Sequence, residues 1–321
     1  MSDPVRQWKR LARVEIGNAT TTLLIEELRM QFEIVKTIDK NPNTCTVRLF
    51  NLTPNHEQKI KAEFDKIAVY AGYDQSVQTG ASGKKYMPLI FRGNVKYVHR
   101  YRDKNDYITE IEAGDGDKDF RQAVMNETMA AGTTMAQIVD RAIDTFKTLG
   151  GTIKGLVQVP AHGHTRGKVL SGNTRDILDH VARDAKANWS IQDGQLDMVG
   201  INAVLPTETI VISAETGMLN APEVNDKGIA VKSLLNPHLR VNGSIQLDNN
   251  RIRKLRQKKA ALIQTAEPAE PVRLDPDGVY KILQVTHKGD TRGADWISEV
   301  ECIGLDQPIP PSRSGGTGAQ Q

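Results

Sequence analysis

The sequence predicts an α+β protein in which two related antiparallel β-modules flank a small mixed α+β domain. Three observations carry this. Apolar and polar residues alternate through the first and last thirds, as in half-buried strands. The middle third switches to a 3.6-residue period. A hairpin near residue 106 is nearly repeated near residue 295.

In the first third, Leu23-Leu24-Ile25 precedes a strand whose Met30, Phe32, Ile34, Lys36 and Ile38 share one face. The turn Asn41-Pro42-Asn43 leads into a second alternating run over 44–50. A short helix is expected over 54–65, with Pro54 at the tolerated N-terminal position and Ile60 and Phe64 one turn apart. Strands resume over 67–73, 89–102 and 107–113, separated by a Gly/Ser/Gln-rich loop at 74–85.

In the middle third, Thr133 or Thr134 caps a helix whose apolar positions are Met135, Ile138, Val139, Ala142, Ile143, Phe146 and Leu149, ended by Gly150-Gly151. A second helix runs over 174–186 with Asn173 as cap. Asp193-Gly194 then joins two short strands, a strong hairpin signal. The last third returns to strands at 209–213, 229–235, 241–247, 279–287 and 296–303. The tail from Pro308 is Pro-, Ser- and Gly-rich and reads as disordered.

The repeat decides the organisation. Asp106-Tyr107-Ile108-Thr109-Glu110-Ile111-Glu112-Ala113 recurs as Asp295-Trp296-Ile297-Ser298-Glu299-Val300-Glu301-Cys302, each change conservative. Asn51 and Asn236, Gly93 and Gly278, and Lys96 and Lys281 match at a spacing of 185, which becomes 189 after the hairpin loop. The second loop is therefore expected to be four residues longer. The divisions that follow are an N-terminal arm at 1–10, modules at 11–115 and 201–305, a central domain at 116–200 and a disordered tail at 306–321. Such alternation suits a barrel or a strongly curved sheet.

The chain also resembles a known family, the phage tail baseplate hub proteins related to the Mu-type hub and the late-control D proteins. The resemblance spans about residues 11–305 and rests on an ordered set of segments. These are Leu49-Phe50-Asn51-Leu52-Thr53, Gly114-Asp115-Gly116, Ala131-Gly132-Thr133-Thr134, the run from Leu170 to Asp179, Asn188-Trp189-Ser190-Ile191-Gln192-Asp193-Gly194, Leu235-Asn236-Pro237 and His287-Lys288-Gly289-Asp290-Thr291. It implies two tail-tube-like barrels per subunit and a homotrimer that presents six similar modules. Such a pseudo-sixfold ring would join a sixfold tail tube protein to a threefold central spike protein, contact other baseplate proteins and leave a channel for DNA in transit. It also implies a virion location, with assembly in the host cytoplasm. A hub of a domesticated tail-like particle and a tail-associated cell-wall hydrolase are the alternatives.

Composition agrees with a folded chain. At 321 residues, two domains are the simple expectation, and a sizeable core forms without disulfides or metals. Basic and acidic residues number 42 and 39, too balanced for a dedicated nucleic-acid binder. No apolar run approaches a membrane span, and Arg6, Lys9, Arg10 and Arg13 are followed by none, so neither stable membrane association nor a signal peptide is expected.

No catalytic, metal or cofactor site is expected. His162-Gly163-His164, with His180 or Asp179, has metal-like spacing but no nearby Cys or Glu, and reads as a solvated loop. The acids Asp115, Asp117 and Asp119 suggest a calcium loop, yet Asn126 stands where the twelfth-position glutamate belongs. Turn and capping roles are the expectation there. Neither a nucleophile elbow nor a phosphate-binding loop is present. Cys45 and Cys302 read as packed apolar residues, and Trp189 and Trp296 as core. Candidate partner contacts are Trp8 and the cluster Arg251, Arg253, Lys254, Arg256, Lys258 and Lys259. That cluster suits an acidic partner or solvent better than DNA, since each neutralised phosphate would slow passage through a conduit.

Overall fold

The computed structural model describes residues 9–74, 85–225, 228–248 and 277–305. The protein is mostly β, and one fourteen-stranded sheet dominates it. In the first third, β1 (Arg10–Gly17), β2 (Thr22–Ile25), β3 (Met30–Thr37) and β4 (Thr44–Phe50) precede helix α1 (Pro54–Glu63). Then come β5 (Lys66–Asp74), β6 (Lys85–Tyr86), β7 (Leu89–Asp103) and β8 (Asp106–Gly114). Strand β1 was not anticipated, because its arginines mask the alternation of Ala12, Val14 and Ile16, all buried. Helix α1 stops at Glu63, and Phe64 continues as buried extended chain.

The middle third holds α2 (Asp117–Gln122), β9 (Val124–Met129), α3 (Met135–Leu149), β10 (Ile153–Val157), β11 (Lys168–Asn173), α4 (Thr174–Asp184), β12 (Ala187–Gln192) and β13 (Gln195–Gly200). Thr134 closes a capping box with Gln137, and the apolar stripe of α3 is buried through Phe146. Asn173 occupies the cap position of α4, but its side chain makes no capping bond. Asp193 and Gly194 both have positive φ, as a tight two-residue hairpin requires. In the last third, β14 (Ile210–Val211), β15 (Glu223–Asn225), β16 (Gly228–Leu234), β17 (Ser244–Gln246), β18 (Val279–Asp290) and β19 (Trp296–Gly304) complete the chain.

The large sheet runs in the order β15-β16-β19-β18-β3-β4-β8-β7-β5-β1-β2, antiparallel along that path. Among the described residues this is one open path, and closure of either module into its own barrel is not among the pairings. Three apolar clusters form, built mainly from the first third, the middle third and the last third. They interlock, since Leu235 and Trp296 enter the first and Ile38 enters the third. Among the described residues no helix is long and apolar enough to cross a membrane.

The repeat is visible in the pairing. The hairpin β7–β8 shifts register between Val95 and Tyr97, and β18–β19 shifts between Ile282 and Gln284. Val95 faces Ala113 and Ile282 faces Cys302, so the bulge falls at the same place in both. The strand pairing therefore matches Lys96 to Leu283 and Lys281 to Asn94, correcting the Lys96–Lys281 match. The loops are Lys104-Asn105 and Thr291-Arg292-Gly293-Ala294, so the second is two residues longer, not four. Likewise the N–H of Asn51 bonds Tyr107 O as that of Leu235 bonds Trp296 O, placing Asn51 opposite Leu235 rather than Asn236. The Lys96 slip is two residues, which preserves the face each residue occupies, whereas the Asn51 slip is one residue and falls just past the ends of β4 and β16, where alternation no longer fixes the match.

The two copies share one seam. Residues Gln284–Asp290 of β18 pair with Gln31–Thr37 of β3, seven residues on each side. On the core face Phe32, Gly289 and Trp296 lie in one cross-strand row. The Phe32 and Trp296 rings meet edge to face at 5.5 Å. A Cβ on Gly289 would come within 2.2 Å of the Phe32 ring, so only glycine fits beneath it. Arg10 adds bonds to the carbonyls of Gly293 and Ala294, and the Tyr73 hydroxyl donates to Leu235 O. Gly289→Ala should cost about 2 kcal/mol by overpacking the seam. Phe32→Leu in the same chain should return part of that loss, both read from urea unfolding midpoints.

Candidate functional site: an ion-paired sheet face and its polar clamp

The large sheet buries one face and leaves the other polar. Its apolar face carries Phe32, Ile34, Val47, Ile111, Val285 and Val300, all buried. The opposite face carries charged residues across seven strands, from β16 to β7. Lys288 on β18, Glu33 on β3, Thr46 on β4, Glu112 on β8 and Tyr97 on β7 form one cross-strand row.

Ion pairs tie this face together across the seam. Lys288 reaches Glu33 at 3.5 Å and Glu299 at 3.3 Å, and Lys232 reaches Glu299 at 3.2 Å. Arg29 pairs with Asp290 at 2.8 Å, Gln31 donates to the same carboxylate, and Arg48 meets Glu110 at 2.5 Å. Burial alone would raise the Asp290 carboxyl, but donors from Arg29, Gln31 and the Arg292 N–H bring it to about 2. Glu299 is lowered for the same reason, burial being outweighed by Lys232 and Lys288. Acids on this face are Glu33, Glu110, Glu112, Asp290, Glu299 and Glu301, against Arg29, Arg48, Lys232 and Lys288. The balance is mildly acidic.

A second polar assembly clamps the central unit to the first copy. Lys36 sits on the apolar side of β3 and is buried, yet its Nζ lies 2.6 and 2.7 Å from the Asp193 carboxylate oxygens at the hairpin tip. The Asp115 carboxylate accepts the backbone N–H groups of Asp193 and Gly194. Burial first, then the Asp193 charge, pushes the Asp115 carboxyl up, while Lys36 and those N–H groups oppose the rise. Asn43 donates to Ile191 O and Gln192 Oε1, and Gln192 donates back to Thr37 O. From the second copy, buried Lys281 donates to the carbonyls of Gly200 and Ile201, and burial lowers its ammonium to about 8. A 140 Å³ cavity lies beside the clamp, lined in part by Lys36, Arg92, Asp193, Asp197 and Arg240.

The residues singled out from sequence fall elsewhere or into structural roles. Trp8 and the 251–259 cluster lie outside the described residues. His162 is exposed, and among the described residues no three metal-ligating side chains gather. Asp179 instead accepts the Trp189 indole N–H and pairs with Lys40. Asp117 bridges Lys96 and Arg121, and Asp119 accepts from Thr152. Cys45 and Cys302 are buried, and desolvation pushes both thiols up, away from nucleophilic character. Sequence reading missed the clamp. Its available signal was Lys36, a lysine in line with Met30, Phe32 and Ile34 on an otherwise apolar strand face.

The described residues form a large antiparallel sheet with a duplicated hairpin and one polar, ion-paired face. Solved structures of phage tail proteins share this fold. The chain is similar to the 43 kDa tail protein of prophage MuSo2 from Shewanella oneidensis, with TM-score 0.58, 8% identity, and 92% of this chain and 97% of that one covered. It is similar to a tail protein from Neisseria meningitidis MC58, with TM-score 0.57, 7% identity, and the same coverage. A type VI secretion component of E. coli, c3393, described as structurally similar to the T4 tail proteins gp27 and gp5, matches at TM-score 0.51 and 10% identity, over 93% of this chain and 79% of that one. No curated protein sequence matches the chain. The family model for baseplate hub gp41 matches residues 12–251. The chain belongs to that family, and its role is that of a structural component of the phage baseplate.

The clamp and the seam meet at His287, which is buried, bonds Ser298 Oγ at 2.8 Å and lies near Lys36. Burial, aided by the Lys36 charge, pushes its imidazole down to about 3. A folded-state value below the unfolded one means the unfolded chain takes up the proton first as pH falls below about 6.5. Stability is therefore lost on acidification from that point toward pH 3. His287→Gln should flatten the dependence by about 2 kcal/mol between pH 7 and 5. Urea unfolding of both chains at each pH checks this, and Asp115, which acts in the opposite direction, is common to both.

Proposed function

We propose that this chain is a non-enzymatic hub subunit that forms a homotrimer, whose three subunits present six similar sheet units around a channel. The observation that carries the reading is the β18–β3 seam. It joins two equivalent units edge to edge through non-equivalent strands, which is a head-to-tail contact, and head-to-tail contacts generate rings when their rotation closes. Two units per subunit suit a threefold spike on one side and a sixfold tail tube on the other. The divisions 11–115, 116–200 and 201–305 fit the three apolar clusters and supply the two tube-like modules.

In this reading the ion-paired face lines the channel. From β15 to β7 each subunit contributes eight strands. Three subunits give 24, which at ~4.8 Å per strand is a wall roughly 37 Å across before strand tilt. Barrels of fewer strands already leave open water channels, so side chains would not fill this one. A mildly acidic lining repels phosphates and keeps DNA in transit from binding. The hydrolase reading is disfavoured by Asp115, Asp117 and Asp119, each engaged in structural contacts: Asp115 and Asp117 between the first copy and the central unit, and Asp119 within that unit. Tail tube, central spike and other baseplate proteins are the partners, in the virion tail.

Light scattering over a micromolar series should give three times the 35.5 kDa subunit mass, and negative-stain images a ring with near-sixfold outline. A persistent dimer would sink the reading, because two subunits supply four units. Converting Glu33, Glu112 and Glu301 to Lys should raise affinity for duplex DNA at least about tenfold at low salt, with a steeper salt dependence than the parent chain.

A further inference from the structure

The 140 Å³ cavity beside the clamp is lined from all three units. Lys36 and Arg92 come from the first copy, Asp193, Gln195 and Asp197 from the central hairpin, and Arg240 from the second copy. Three cations thus face two acids, and both acids are already engaged. Asp193 holds Lys36 through both carboxylate oxygens. Asp197 accepts the Leu156 N–H at 2.7 Å. Burial pushes its carboxyl up, away from the charged form, against the opposing pull of that N–H and of the Arg240 charge. The two arginines are not satisfied in the same way. Among the described residues neither Arg92 nor Arg240 forms an ion pair or donates a side-chain hydrogen bond. Arg92 is also held in place, since a Cβ on Gly194 would lie 3.8 Å from its Cδ, so its stem packs beside the hairpin tip. Gln195 is exposed at the same tip and adds an amide donor. Lys36 has three N–H donors, of which the Asp193 oxygens take two.

We infer that this cavity binds a small multivalent oxyanion of the phosphate class, held between the Arg92 and Arg240 guanidinium groups with Gln195 and the third Lys36 donor completing its shell. A guanidinium presents two parallel N–H bonds that match two oxygens of one anion. Two such forks arriving from separate units call for more acceptor directions than the two oxygens of a monocarboxylate supply, and a tetrahedral dianion has them. A concave, partly buried site also screens these charges less than open surface does. The bound ion would bridge the two copies across the hairpin of the central unit, at a place where the protein's own contacts are polar. The site lies within one subunit and does not depend on the trimeric reading. Because the unfolded chain lacks it, the anion stabilises the folded chain in proportion to its occupancy.

The test is isothermal titration calorimetry of the full chain with inorganic phosphate, in chloride buffer of constant ionic strength. Phosphate should bind saturably with a Kd of about 0.1 mM. General exclusion of phosphate from protein surfaces also stabilises folded chains, but it shows no saturation. Arg92→Gln and Arg240→Gln should each weaken binding at least about tenfold, the loss expected for a charge-assisted contact. Arg92→Lys, which keeps the charge without the fork, should fall between Arg92→Gln and the parent chain. Arg166→Gln, at an exposed arginine outside the cavity, should bind as the parent does. Dimethyl phosphate, a singly charged diester, should bind at least about tenfold more weakly than phosphate. Absence of saturable binding below about 10 mM phosphate overturns the site. So does binding that survives both glutamine variants while their circular dichroism matches the parent. Equal affinity for dimethyl phosphate overturns the dianion and points instead to the phosphodiester of a nucleic acid or lipid.

Discussion

The seam between β18 and β3 is the constraint on which the rest of the architecture depends. It is a seven-residue antiparallel pairing that makes two related units into one sheet. Without it, β3 and β18 would both be open edges of smaller sheets, each exposing an apolar face. Its geometry is fixed from both sides. Phe32 and Trp296 meet across Gly289 on the core face, while Lys288, Glu33 and Glu299 interlock on the polar face. Register is therefore doubly specified, because a one-residue slip would put charges under the rings and aromatics into water.

The clamp around Lys36 solves a different problem. The central unit, with five short strands and three helices, attaches to the sheet through buried polar contacts. Lys36, Asp193, Asp115 and Asn43 give directional bonds where apolar area is scarce. A buried lysine–aspartate pair contributes little net stability against an apolar replacement, but breaking one partner leaves an uncompensated charge. The arrangement therefore fixes orientation. His287 brings the second copy beside Lys36, and Lys281 ties it to the far end of β13 at Gly200 and Ile201, so the second copy holds the central unit at two places.

Much of this was legible in the sequence, for reasons that also explain what was not. Strands with clean alternation, such as 44–50 and 296–303, were recognised because one side is core and the other is water. Helix α3 was recognised from its period and its capping threonine. The repeated hairpin is legible in the sequence, but its offset is not, since sheets repeat faces every two residues and a two-residue slip leaves the pattern intact. Strands β9, β10, β11 and β15 escaped because they are short and largely exposed, with little burial to imprint a period. The seam escaped for another reason. Pairing between residues 31–37 and 284–290 is a long-range choice that no local window encodes. Asp193-Gly194 read as a turn, yet its role as an anchor depends on Lys36, 157 positions away.

Carrying one junction within the chain changes the thermodynamics of the proposed ring. Six separate units need six intermolecular contacts, each with its own loss of translational and rotational freedom. A duplicated chain makes half of those junctions intramolecular, so three remain to be formed between subunits. The internal seam can then be strong without risk of runaway growth, because it is already satisfied. The contacts between subunits can then be weaker and reversible, so that a misplaced subunit leaves before the ring closes. Closure is what separates this from a filament: a head-to-tail contact of the same strength with the wrong rotation would grow without limit.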